Sequence, residues 1–171
     1  SGSDVGSVTL AASDLDGTLQ VSNTTLLDFT GAVGGTDAPS AITASTEVDT
    51  IDIGASLTAD AVTLGTTDGD IDVTATSTVT ANTTTVDMGT VAGTIDLAGD
   101  LTVSAGTGAT LATVDDNAVD GTNSLDVTSG TAGASGNVQI GIIGGTNEVL
   151  NVTASGSDVG SVTLAASDLD G

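Results

Sequence analysis

The sequence predicts an all-β chain and, within that class, a β-solenoid (parallel β-helix) forming one 154-residue unit of a tandem array. Three observations lead there: short apolar triplets alternate throughout, large side chains are almost missing, and one segment occurs twice. Tandem β-sandwich repeats are the competing architecture.

The alternation comes first. Six triplets read aliphatic–Asp–apolar: Leu27-Asp28-Phe29, Ile51-Asp52-Ile53, Ile71-Asp72-Val73, Val86-Asp87-Met88, Ile95-Asp96-Leu97 and Leu125-Asp126-Val127. Others place Thr, Gln or Asn in the middle, as in Val8-Thr9-Leu10, Val62-Thr63-Leu64, Leu101-Thr102-Val103 and Val138-Gln139-Ile140. A period of two sends the outer members to one side of a strand and the middle residue to the other, so these are half-buried strands. Helix competes poorly, because no stretch keeps apolar residues at i, i+3, i+4 and i+7, and Thr, Val, Gly, Ser and Asp are weak helix formers. Turn formers such as Gly34-Gly35, Asp68-Gly69, Asp120-Gly121 and Gly144-Gly145 separate the strands.

Side-chain size decides between the two architectures. Phe29 is the only aromatic residue and Met88 the only methionine, with 24 glycines among 171 residues. A sandwich normally fills the space between its sheets with some large aromatics. A solenoid core is narrow, and stacked coils let like residues ladder over like. With coils of about 20 to 25 residues, the 154-residue period makes roughly six to eight coils and advances on the order of 30 to 40 Å at ~4.8 Å per rung.

The duplication sets the organisation. SGSDVGSVTLAASDLDG stands at residues 1–17 and again, letter for letter, at 155–171. Such identity is expected of a window cut from a longer array: 1–154 one repeat unit of the rod, 155–171 the start of the next. Duplicated terminal strands are the plainer alternative.

Charge removes several functions. There is no Lys, Arg, His or Cys against 23 acidic residues, a net charge of −23. Phosphates cannot be neutralised by such a chain, so no nucleic-acid partner is expected, nor a basic membrane patch. There is no apolar run of about 18 residues to insert in a bilayer. No leader is recognisable, which in an internal window says nothing about secretion. Nucleophilic triads lack their base, and carbohydrate enzymes lean on aromatic platforms and cations, so a polysaccharide-processing β-helix is the weaker reading and no enzyme is expected. Low complexity does not imply disorder, because β-branched residues abound and the mean hydropathy is +0.32.

Calcium is the one ligand that merits candidates. Asp68, Asp70 and Asp72 alternate beside Gly69, and Asp115 and Asp116 lie near Asp120, supplying the oxygen ligands hard cations prefer. Neither group matches an EF-hand loop or a glycine-rich calcium nonapeptide, and a solvated acidic face is the simpler account of each cluster. No other cofactor is implied. Removing Asp4, Asp14 and Asp16, which recur in the overlap, leaves 20 acids per period, about one charge per 2 Å, close to duplex DNA. Counterions or divalent cations are therefore expected partners, beside copies of the unit itself. Asn23, Asn82 and Asn151 head sequons that a chain rich in Asn and Thr contains by chance. Outward Thr9, Thr63 and Thr102 resemble, in residue type only, the flat threonine faces of β-solenoid ice-binding proteins; β-branched surface filling is the simpler account.

Gly69-Asp70-Ile71-Asp72-Val73-Thr74-Ala75 and Gly99-Asp100-Leu101-Thr102-Val103-Ser104-Ala105 resemble the β-helical stalks of large secreted bacterial adhesins, the filamentous-haemagglutinin-like and autotransporter proteins. The resemblance is compositional and covers most of the chain. It implies a right-handed parallel β-helix, an extracellular or cell-surface location, and a role as filament, spacer or stalk of an adhesin. The departures are a long period and the lack of Lys and Arg, and no binding residue carries over.

Overall fold

The computed structural model describes residues 5–112, 118–130, 135–144, 147 and 149–165, with only the backbone at Ser45 and Thr46. Every strand pairing among them is parallel, and no helix occurs among the described residues. The expected β-solenoid is what forms. A sandwich, whose sheets are antiparallel, is set aside.

The chain climbs by winding around three faces. Face I holds the first halves of β2 (Thr18–Phe29) and β3 (Ala41–Ile53), then β5 (Val62–Leu64), β8 (Thr85–Met88), β11 (Gly108–Leu111), β14 (Gly136–Ile140) and β17 (Val159–Leu164). Face II holds β1 (Val5–Leu10), the second halves of β2 and β3, then β6 (Ile71–Val73), β9 (Ile95–Leu97), β12 (Ala118–Gly121) and β15 (Ile142–Ile143). Face III holds β4 (Leu57–Ala59), β7 (Ser77–Ala81), β10 (Leu101–Ala105), β13 (Ser124–Ser129) and β16 (Asn151–Ser155), extended at one end by bridges from Val33 to Leu57 and Ser13.

Register explains why the short triplets suffice. Outer members stack inward as unbroken apolar columns: Leu27, Ile51, Ile71, Ile95 and Val119 on face II, and Leu57, Val79, Val103 and Val127 on face III, all buried. Each such side chain contributes about 1.5–3 kcal/mol relative to exposure. Phe29, the widest, sits fully buried over Ile53. Coil length runs from 20 residues (Ile42 to Val62) to 24 (Val62 to Val86), as expected, but one coil takes 29 (Ala109 to Val138). The strands on either side of the longer coil still pair, Ala109 with Val138, and length changes between rungs cost little.

The corners are close-packed where the chain turns sharply. A Cβ on Gly99 would run into the backbone of Ala75 and Thr76 in the coil beneath, whereas one on Gly6 would meet nothing within 4 Å. Buried Thr66 bridges a corner, its Oγ1 donating to the Gly69 carbonyl (2.6 Å) and accepting from the Ala92 amide (3.0 Å). These contacts predict that Gly99→Ala destabilises the chain by more than about 1 kcal/mol, while Gly6→Ala stays within about 0.5 kcal/mol of the parent in urea unfolding. Equal midpoints for the two variants would contradict the packing described.

Candidate cation site on the carboxylate face

In-register stacking gathers the acidic triplets unevenly. The outward middle residues of face II pair as Thr9, Asp28, Asp52, Asp72, Asp96 and Asp120, five consecutive aspartates in one column. On face I the same column reads Gln20, Thr43, Thr63, Asp87, Thr110, Gln139 and Thr163, with a single acid. Face III carries hydroxyls, with Thr58, Thr80, Ser104, Thr128 and Ser155 in one column and Thr78, Thr102, Asp126 and Thr153 beside it. Of the six Asp triplets, four lie on face II, while Asp87 and Asp126 stand alone on the other two.

The column is an electrostatic burden. Carboxylates one rung apart, at ~4.8 Å, repel by about 1 kcal/mol in a water-like dielectric and more where water is partly excluded. Asp72, mid-column, has its pKa pushed up to about 6, chiefly by partial burial and then by the neighbouring charges of Asp52, Asp96 and Asp70. Asp52 is raised by the same burial and by Asp28. Exposed Asp14 is the contrast: the Thr36 amide donates to its Oδ1 (2.9 Å) and lowers its pKa.

One point of the column can serve as a metal centre. Carboxylate oxygens of Asp70, Asp72 and Asp96 lie within 4.8 Å of one another, the only such acidic group among the described residues. Asp70 precedes β6 at the corner, and its Oδ1 accepts from the Thr94 amide (2.7 Å) one coil further on. The Thr94 hydroxyl donates to Asp96 Oδ1 (2.9 Å), tying the two carboxylates to one residue. Gly93 makes this possible, since a Cβ there would strike Asp70 Oδ1. The three side chains are half-buried and water-facing, which suits a hard cation completing its shell with water.

The sequence candidates divide. Asp70 and Asp72 belong to the triad. Asp68, though on the same corner, does not join it. Asp120 ends the column instead, almost fully buried, accepting from the amides of Gly121 (2.9 Å) and Asn147 (2.6 Å). Asp115 and Asp116 lie outside the described residues. Nothing in the sequence marks Asp96 or Thr94 as a ligand-site residue, because they stand 24 residues from their partners and only the coil length brings them over Asp72 and Asp70. Thr9, Thr63 and Thr102 fall on three different faces and form no common array. No family model, curated protein or solved structure matches this chain.

The raised pKa sets a direction. Asp72 titrates near 6 in the folded chain and near 3.8 unfolded, so the folded state holds more protons between these values. The contribution of Asp72 to stability is then most favourable below about pH 4, declines as pH rises toward about 6 and is flat above. Asp72→Asn is expected to melt about 3 °C above the parent at pH 7, on the order of 1 kcal/mol after solvent screening, and to match it at pH 4. Thermal unfolding at the two pH values checks this, and a variant that melts lower at pH 7 would refute it.

Proposed function

We propose that the chain is a structural element: a unit of an extracellular filament or stalk built from tandem acidic β-solenoid repeats. One observation carries the reading. Among the described residues parallel pairing continues strand over strand along all three faces, with register shifts only at Val21/Ser22 and Gly136/Asn137, around a narrow and largely aliphatic core, so added coils lengthen the molecule without widening it. From β2 to β17 face I climbs six rungs, on the order of 30 Å. Surface location and a role as an adhesin stalk draw support from the compositional resemblance to β-helical adhesins.

The carboxylate face gives the rod its ionic character. Five stacked aspartates with no cationic side chain anywhere in the chain repel both one another and the next rod. Screening or a divalent ion at Asp70, Asp72 and Asp96 relieves both, stiffening single rods and letting rods pack side by side.

Negative-stain microscopy tests this on a tandem polypeptide of several units, because one unit advances only on the order of 30 Å. Single thin rods are expected in low salt, and lateral bundles in high salt or millimolar calcium, with chelation reversing the calcium effect. Association indifferent to both ions removes the ionic part of the proposal, and particles that are not elongated remove the rod. The mass of the polypeptide in its source, taken under denaturing conditions, separates a covalent tandem from assembled subunits.

A further inference from the structure

The identical segments do not occupy identical places. In its first copy VGSVTL is β1, on face II, paired along one edge with the second half of β2: Val5 pairs Thr24, Val8 pairs Leu27, Thr9 pairs Asp28 and Leu10 pairs Phe29. In its second copy it is β17, on face I, lying on β14: Val162 pairs Val138, Thr163 pairs Gln139 and Leu164 pairs Ile140. Six complete circuits lead from β1 to β15, and two further sides lead to β17, so the segment returns one side short of its starting face.

Each copy is half covered, on opposite edges. Val5 is 53 % exposed in the first, Val162 and Leu164 are each 45 % exposed in the second, and the missing neighbour of one is the neighbour present at the other. Inward parity agrees across both edges: Val138 and Ile140 below are buried, as are Leu27 and Phe29 above. The glycine fits the same pattern. Gly6 faces open space, while its twin Gly160 lies where a Cβ would crowd Asn137 Oδ1 (2.9 Å), so its small size matters only toward the coil beneath.

Resting on the rod reading above, we infer that these are two halves of one joint, and that its partner is a second copy of this sequence. VGSVTL stacks on β14 of one unit and is capped by Thr24–Phe29 of the next, burying its valines and leucine on both edges. Face I of one unit thereby runs into face II of the following one. Each unit is turned by one face, a third of a revolution, and the carboxylate column steps around the rod, returning to its line every third unit.

The test uses a tandem polypeptide in which residues 155–171 of one copy serve as 1–17 of a second. The chain has no cysteine, so pairs of introduced cysteines carry spin labels at chosen sites only. Gln139→Cys with Asp28→Cys of the second copy puts the labels two rungs apart, ~10 Å, giving strong dipolar broadening. Gln139→Cys with Gln20→Cys of the second copy gives weak broadening, because that residue has turned to another face. Thr110→Cys with Asp52→Cys of the second copy, four rungs apart at ~20 Å, repeats the measurement away from the joint. Strong coupling to Gln20 and weak coupling to Asp28 overturns the joint, since it means the units stack unturned. Weak coupling in every pair overturns it too: within a single rod of doubled length the rod reading survives, whereas two flexibly linked particles in the microscope end both.

Discussion

The structure depends on parallel, in-register stacking. Backbone groups of the strands pair with the coils above and below, so a strand residue's nearest neighbours are those at the same position one turn away. Like then lies over like, whatever its chemistry. For Leu27, Ile51, Ile71 and Ile95 this makes a continuous apolar column, and for Asp28, Asp52, Asp72 and Asp96 one residue further along it makes a column of charge. One constraint generates both the stability and its main opponent.

Magnitudes show why the fold survives this. A carboxylate pair one rung apart costs about 1 kcal/mol in water, while each fully buried Ile or Val beneath contributes about 1.5–3 kcal/mol. Two inward residues accompany each outward aspartate in the face II triplets, so burial outweighs repulsion at each rung. Face II is nevertheless the least comfortable of the three, and the raised pKa of Asp72 records it. A cation there would act on a penalty already present, which is why the triad and the column belong to one account.

The sequence made the class of fold legible because alternation and residue size are local. A triplet such as Ile71-Asp72-Val73 declares its inward and outward members without reference to any other part of the chain. Which triplets share a face is not local. It depends on corner lengths, and these vary with no marker: the coil from Ala109 to Val138 is longer than its neighbours, and the corner between β14 and β15 is Gly141 alone. Asp87 and Asp126 are indistinguishable by sequence from Asp72, yet each stands alone on its face. For the same reason Asp68 looked as good a ligand as Asp70, and Asp96 looked like no ligand at all.

That separation between local and non-local information bears on the duplicated segment most directly. Seventeen identical residues suggest identical surroundings, but a strand in a solenoid carries no label for its face; it carries only an inward parity and an edge. Val8 and Leu10 can lie against Leu27 and Phe29, and Val162 and Leu164 against Val138 and Ile140, because both sites ask for the same thing, two apolar side chains flanking a small polar one. A repeat whose length is not a whole number of coils is therefore tolerated by the backbone. In the tandem proposed above it would change the surface, turning the aspartate column from a straight stripe into one shared in turn among the faces. In the proposed tandem that spreading would matter: a charge stripe on one side would bend a rod or pair it through one flank, whereas one advancing by thirds would present comparable charge in every direction over three units.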